Sequence, residues 1–258
     1  MRYAFVDGAY LLDAIPGLIE GIYDEPYEIE PSELMSQLRS QKVFFYDAIR
    51  ESSGGLDASQ QAKLMEREHL HERLSNAYNY HVREGSVREK IKKGDKPEQK
   101  EVDVYLAVEA MTHVYRHNAE EVSLLTGDSD FIPLVRELVQ MGAIVNLFGK
   151  ESTPARLRAA ADNFTVINYA WLWHSAPHEW KERNPLITEA PVSALGNQHS
   201  PNSLIGYLDG SELLTLSYQN TKAISVKDTG KIFMGSRVED LKRYMRKFYN
   251  ADFTLSGG

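Results

Sequence analysis

Five aspartates lie where predicted strands end or predicted helices begin, which is where a parallel sheet places its ligand sites. Asp7 and Asp47 each end a short apolar run. Asp128 and Asp130 follow a third run in the sequence TGDSD, and Asp103 opens a helix-like stretch. Because the carboxyl ends of parallel strands gather along one edge of a sheet, these carboxylates are expected to meet in one crevice.

Carboxylates gathered in this way would favour metal chemistry. Each negative charge raises the pKa of its neighbours unless a cation is bound among them. The chain has no cysteine, and oxygen ligands of this kind select Mg²⁺ or Mn²⁺. One or two such ions would activate water and stabilise the charge on a scissile phosphate.

Each aspartate also has a structural interpretation. The pair Asp7-Gly8 is typical of a turn, and Asp103 and Asp130 stand where a residue could cap the N-terminus of a helix. The occurrence of all these carboxylates at successive strand ends favours a shared site over separate structural roles.

The elements that must position these residues alternate over the first 170 positions, which is typical of an α/β fold with a mostly parallel sheet flanked by helices. Strands are predicted at 3–6, 42–46, 122–125, 143–148 and 164–168, with helices at 58–74, from Val102, at 131–141 and at 154–161. Residues 78–93 are predicted as a strand with a charged continuation. Gly142 is predicted to stop the helix before it.

A boundary is predicted after this region. Residues 1–175 form the predicted main domain, and the proline-containing stretch 176–203 is predicted as a linker. Residues 204–258 contain short strand-like runs, followed by a helical pattern from Val238 to Phe248. They are interpreted as a small β-rich appendage that ends in a helix. Its apolar helix suggests a possible homodimer.

Composition excludes several classes of protein. The 258 residues are 42% hydrophobic, as in a packed globular core, and carry a formal net charge of -8. This charge argues against a protein that coats nucleic acid without specificity. No apolar run is long enough for a membrane span, and the N-terminus does not have the pattern of a signal peptide. With zero cysteines, a cytoplasmic location is expected.

Three segments carry a family resemblance: FVDGAYL at 5–11, QKEVDVYLAVEAM at 99–111 and LLTGDSDFIPLVRELVQMGAIVNLFG at 124–149. Over roughly residues 1–170 the chain resembles the NYN domain family of the PIN-like nuclease superfamily, and within it the LabA-like group. The resemblance implies a PIN-like Rossmannoid sheet and a metal-binding group. That group comprises Asp7, Asp103, Asp128 and Asp130, with Asp130 as the accompanying carboxylate, and Mg²⁺ or Mn²⁺ as the ion.

Substrate contacts are expected beside these carboxylates. The predicted contacts are Lys100, Arg88, Lys92, Lys93 and Ser129. The basic residues belong to a mixed-charge stretch before Asp103 that suits a phosphate backbone, or is simply a solvated loop. The chain departs from the family pattern at Tyr10, where many members have asparagine, at Glu101 in place of glycine and at Glu109 in place of aspartate. The carboxylate set is intact, so an active enzyme is expected.

The predicted function is a metal-dependent endoribonuclease acting on single-stranded or structured RNA. The resemblance implies products with a 3′-hydroxyl and a 5′-phosphate. One alternative is a regulatory or RNA-binding module that no longer turns over. Another is a phosphatase of the haloacid dehalogenase type, which needs an aspartate where this chain has Ala9. His113 and His117 have the spacing of zinc ligands but lack the HExxH glutamate, and are interpreted as structural.

Overall fold

A computed structural model describes most of the chain. The described residues are 1–49, 57–86, 100–191, 204–208, 211–218, 221–226, 231–250 and 254–255. Contacts divide the chain into two units, one comprising Met1–Leu18 with Glu28–Ala176, the other Ile19–Tyr27 with Pro177–Gly258. No helix within the described ranges is long and apolar enough to cross a membrane.

The first unit is built on a six-stranded sheet. Its strands are β1 (Arg2–Asp7), β2 (Lys42–Ile49), β3 (Tyr80–Ser86), β4 (Glu121–Leu125), β5 (Ile144–Gly149) and β6 (Asn163–Val166). Its helices are α1 (Gly8–Leu18), α2 (Pro31–Gln37), α3 (Ala58–Asn76), α4 (Lys100–Tyr115), α5 (Ile132–Gln140), α6 (Ala155–Arg158) and α7 (Tyr169–His174). Every strand pair is parallel, so the predicted α/β fold class is confirmed.

Helices cover both faces of this sheet because its strands are apolar on both sides. On one face the rings of Phe5 and Phe44 stack with centroids 5.2 Å apart, and they belong to the cluster that buries Leu106 of α4 and Val135 of α5. On the other face the fully buried Phe45 meets α3.

The strand order β3-β2-β1-β4-β5-β6 reverses direction at β1. The chain first adds strands on one side of β1 and then returns to add β4 on its other side. Open parallel sheets bind ligands at the carboxyl ends of the strands where this reversal occurs. Here those ends are Asp7 of β1 and Leu125 of β4. The topology therefore selects the Asp7 edge as the place for a site.

Several elements differ from the sequence prediction. Strand β2 continues to Ile49, so Asp47 lies inside the strand and does not follow its end. The pair Asp7-Gly8 is a direct junction between β1 and α1, and the structure adds α1 and α2, which were not predicted. Gly142 ends α5 as predicted, with a φ of +89° that suits glycine.

The second unit is built on a six-stranded antiparallel sheet, in the order β12-β8-β9-β10-β11-β7. Its strands are β7 (Thr188–Pro191), β8 (Leu204–Leu208), β9 (Ser211–Tyr218), β10 (Thr221–Val226), β11 (Lys231–Gly235) and β12 (Thr254–Leu255), with helices α8 (His178–Arg183) and α9 (Val238–Tyr249). The predicted strands and terminal helix of the appendage are present.

The stretch predicted as a linker, 176–203, contains α8 and β7 in its first part. Trp180 explains why this part is folded. Its indole N–H donates to the carbonyl of Pro26 at 2.9 Å, and its ring meets Tyr23 and Tyr27 edge-on at 5.0 Å and 5.8 Å. These contacts also explain why Ile19–Tyr27 belongs to the second unit.

Candidate active site

Asp7 ends β1 and is held in a fixed orientation. Its Oδ1 accepts the backbone N–H of Tyr10 at 3.0 Å, and its Oδ2 accepts the hydroxyl of Thr126 at 3.0 Å. Burial, together with the smaller effect of the charges of Asp103 and Asp47, raises the pKa of Asp7 to about 6 in spite of these two hydrogen bonds. A carboxyl group with a pKa near neutrality is a common property of functional sites.

The segment after β4 carries the next two carboxylates. Asp128 caps a 3-10 turn, Ser129–Phe131, because its Oδ1 accepts the N–H of Asp130 at 2.8 Å. Its own N–H donates to the hydroxyl of Thr126 at 3.2 Å. Thr126 therefore links Asp7 to Asp128, and it does so from a fully buried position. Asp128, Ser129 and Asp130 are themselves exposed.

Asp103 lies in the first turn of α4 and is partly buried. The start of this helix lies very near β3, because a Cβ added at Gly85 would come within 2.2 Å of the Val102 side chain. Burial raises the pKa of Asp103, and the charges of Asp128 and Asp130 raise it further. Since Asp103 in turn raises the pKa of Asp7, four carboxylates from three parts of the chain share one electrostatic environment.

Asp47 differs from these four. It is fully buried, and both of its oxygens bind cationic or ring-nitrogen groups on α3. The Arg67 guanidinium binds both oxygens, and Nε2 of His71 lies 2.8 Å from Oδ2. The hydrogen bonds and charges of these partners hold the pKa of Asp47 below its usual value, although burial acts in the opposite direction. Asp47 is therefore a paired structural carboxylate beside the site.

The predicted substrate contacts are only partly described. Arg88, Lys92 and Lys93 lie outside the described residues, and Lys100 is described only as the first residue of α4. A cation that was not predicted, Lys150, directly follows β5 at the same edge. Its ammonium lies 5.0 Å from the ring centroid of Tyr10. The strand-end argument used for the aspartates could have found this lysine, because it directly follows the strand-ending Gly149.

The four carboxylates suit a hard divalent cation by their chemistry. Their ligand atoms are oxygens, and the chain has no cysteine. The pKa values of Asp7 and Asp103 are raised, and a bound cation would lower both. In the part of the chain that is described, however, no three His, Asp or Glu side chains converge closely enough to hold a metal ion. Asp7, Asp103, Asp128 and Asp130 are thus neighbours rather than a closed ligand set.

The raised pKa of Asp7 predicts how stability changes with pH in EDTA. Unfolded Asp7 releases its proton near 3.8 and folded Asp7 near 6, so between these values the folded state holds more protons. The contribution of Asp7 to the free energy of unfolding should therefore fall as pH rises from about 4 to about 6. Urea unfolding of wild type and Asp7→Asn across pH 4–8 measures this. A constant difference between the two proteins would contradict the prediction.

Comparisons with known proteins gave a match to a family model and a similarity to a solved structure. The model of the family described as "NYN domain" matches residues 5–168. No curated protein matches the chain. A crystal structure of a protein of unknown function from Vibrio parahaemolyticus RIMD 2210633 is similar, with 16% sequence identity and a TM-score of 0.41, over 65% of this chain and 92% of that one. The LabA-like group stays a prediction from the sequence.

Proposed function

Because the chain belongs to the NYN domain family, and so carries a PIN-like nuclease domain, we propose that it is a metal-dependent endoribonuclease. The observation that supports this most is electrostatic. Asp103 lies on α4, whereas Asp128 and Asp130 follow β4. Burial raises the pKa of Asp103, and the charges of Asp128 and Asp130 raise it further. Structural caps and turns do not require carboxylates from separate elements to be placed against one another.

In this proposal Asp7, Asp103 and Asp128 hold Mg²⁺ or Mn²⁺ directly or through water, and Asp130 adds the fourth negative charge. When bound, such an ion supplies an activated water and stabilises the charge on the phosphate. Thr126 and the N–H of Tyr10 keep the Asp7 carboxylate oriented through two hydrogen bonds of 3.0 Å. Orientation before the reaction lowers the reorganisation needed at the transition state.

The proposed substrate is single-stranded or structured RNA, with products that carry a 3′-hydroxyl and a 5′-phosphate. The family membership supports this choice of nucleic acid. Zero cysteines support the cytoplasm as the place of the reaction. The phosphatase alternative has no support from the family match, and Ala9 occupies the position where its second aspartate would be needed.

A second candidate is a module that binds RNA without cutting it. It is favoured by the absence, among the described residues, of three acidic or histidine side chains placed to hold a metal ion. In that case the carboxylates would repel one another without forming a catalytic site.

One experiment separates the two functions. Labelled single-stranded RNA and DNA of matched sequence are incubated with the protein in Mg²⁺, Mn²⁺ or EDTA. RNA cleavage in metal but not in EDTA is the expected result, and 5′-phosphate ends on the products test the polarity. RNA that is bound but remains intact in both metals would support the binding module.

A further inference from the structure

Tyr10, at the position where many family members have asparagine, connects three segments at the candidate site. Its backbone N–H binds Asp7, and its hydroxyl reaches the segment that follows β5. There the phenol oxygen accepts the N–H of Lys150 at 2.7 Å and lies 3.2 Å from Oγ1 of Thr153. Because the oxygen already accepts one hydrogen bond, its own proton is available for Thr153.

The Tyr10 ring is fixed as well as its hydroxyl. A Cβ added at Gly127 would lie 2.2 Å from the ring, so the TGDSD segment packs directly against the ring at this glycine. The ring therefore lies between the β1 end and the β4 end of the site. The Lys150 ammonium lies 5.0 Å from the centroid of this fixed ring, within the range of a cation–π interaction.

Lys150 thus has a defined position, yet no acidic side chain of the described residues forms an ion pair with it. Its ammonium lies over the ring of Tyr10, and its backbone N–H donates to the hydroxyl of the same residue. Near four carboxylates, an ammonium group held by a ring rather than by a carboxylate stays available for another anion. The anion present at a nuclease site is a backbone phosphate.

We propose that Lys150, positioned by Tyr10, is a phosphate-binding residue for single-stranded RNA at the carboxylate edge. The proposal rests on the proposed function for its substrate, but its test measures binding and not cleavage. The proposal also explains why this chain has tyrosine at position 10. An asparagine there has no ring to contact the ammonium and is too short to reach Lys150.

The test uses the salt dependence of RNA binding by the full chain in EDTA. Each phosphate contacted on a single strand contributes about 0.7 to the slope of log affinity against log salt concentration. Lys150→Ala is therefore expected to lower this slope by about 0.7 and to weaken binding most at low salt. Lys150→Arg should keep the wild-type slope. Tyr10→Phe, which keeps the ring, should lose less than Lys150→Ala.

Lys42 provides a matched control. It also lies over a tyrosine ring, 5.5 Å from the centroid of Tyr3, but at the opposite edge of the sheet where β2 begins. Lys42→Ala should leave the slope unchanged. A Lys150→Ala slope equal to that of wild type, or a wild type without measurable RNA affinity, overturns the proposal. Binding with the expected slopes but no cleavage in metal would overturn the nuclease and leave the phosphate contact established.

A second observation is independent of the site. Helix α4 is apolar on two sides, since Val102, Leu106, Ala110 and Val114 are buried while another row of apolar residues is exposed. The exposed row, here named the α4 stripe, comprises Val104 (61% exposed), Val108 (58%), Met111 (37%) and Tyr115 (77%). Its spacing of four, three and four is that of a helix–helix seam, and an exposed apolar row of this kind is typical of an interaction surface.

We propose that the α4 stripe is the interface of a homodimer in which the α4 helices of two copies pack against each other. The 16-residue helix is about 24 Å long. Pairing two such faces would bury on the order of 1,000 Å², about where specific interfaces begin.

Light scattering of the full chain over a range of concentrations tests this. Wild type should pass from monomer to dimer, and Val108→Glu should stay monomeric at concentrations where wild type is dimeric. Met65→Glu is the control, because Met65 is exposed on α3 and lies off the stripe. A wild type that stays monomeric, or a dimeric Val108→Glu, overturns the proposal.

Discussion

Asp103→Asn is expected to reduce metal-dependent RNA cleavage by about 1,000-fold or more in kcat/KM, which corresponds to ~4 kcal/mol of transition-state stabilisation. Asparagine keeps the size of the side chain but removes the negative charge from the ligand set. Burial raises the pKa of Asp103, and the charges of Asp128 and Asp130 raise it further, so the three groups repel one another without metal. The same substitution should therefore raise the thermal unfolding midpoint in EDTA.

This opposite effect on activity and stability makes the prediction specific. In saturating Mg²⁺ the wild type should have the higher unfolding midpoint, because ion binding stabilises the folded wild type and not Asp103→Asn. Asp162→Asn is the matched control. Asp162 accepts the N–H of Val145 at 2.8 Å and precedes β6, at the opposite edge of the sheet. Equal cleavage by Asp103→Asn and wild type, or a lower midpoint for the variant in EDTA, would contradict the assignment.

The placement of Asp7, Asp103 and Asp128 at one edge could be predicted from the sequence because it depends on the parallel sheet alone. Short apolar runs identified β1, β2, β4 and β5, and they gave the ends of β1 and β4 that carry Asp7 and Asp128, although β2 continues beyond its predicted end. The proximity of Asp103 was predicted by the same reasoning, although the side chain of its neighbour Lys100 is not described.

The functions of Asp47 and Tyr10 could not be predicted, because they depend on partners far away in the sequence. Asp47 follows the same kind of apolar run as Asp7, and only the packing of α3 brings Arg67 and His71 to it. Tyr10 looked like the loss of an asparagine, whereas its hydroxyl meets Lys150 across 140 positions. Local patterns carry no information on such pairings until the topology is known.

Asp7 and Asp47 differ in whether a cationic side chain compensates the carboxylate charge. Their strands pair directly, with Asp7 opposite Tyr46 in the register, so the two carboxyl groups belong to adjacent strands. Asp47 receives an arginine and a histidine, while Asp7 receives an N–H and a hydroxyl. The pKa of the first is lowered and that of the second raised. Among the described residues Asp7 therefore has no cationic hydrogen-bond partner, and a bound metal cation would compensate its charge.

The largest expected effect on stability is at this paired residue. Asp47→Ala should lower the free energy of unfolding by about 3 kcal/mol at pH 7, because removing one partner of a buried ion pair leaves the others uncompensated. Arg67 retains 28% of its side-chain exposure and can turn towards water, while His71 is 3% exposed and cannot. Urea unfolding of the two proteins measures the loss.

Glu84 is the matched control, since its Oε1 lies 3.3 Å from the other ring nitrogen of the same His71 but its side chain is 63% exposed. Glu84→Ala should cost less than about 1 kcal/mol, because exposed pairs contribute little. The pKa of Asp47 is lowered in the folded state, so its contribution is complete above the unfolded value near 4 and is lost as pH falls below it. The difference between wild type and Asp47→Ala should therefore shrink in acid. A difference that stays constant down to pH 3, or an equal loss in Glu84→Ala, would show that Asp47 does not stabilise the fold as a buried, charged group.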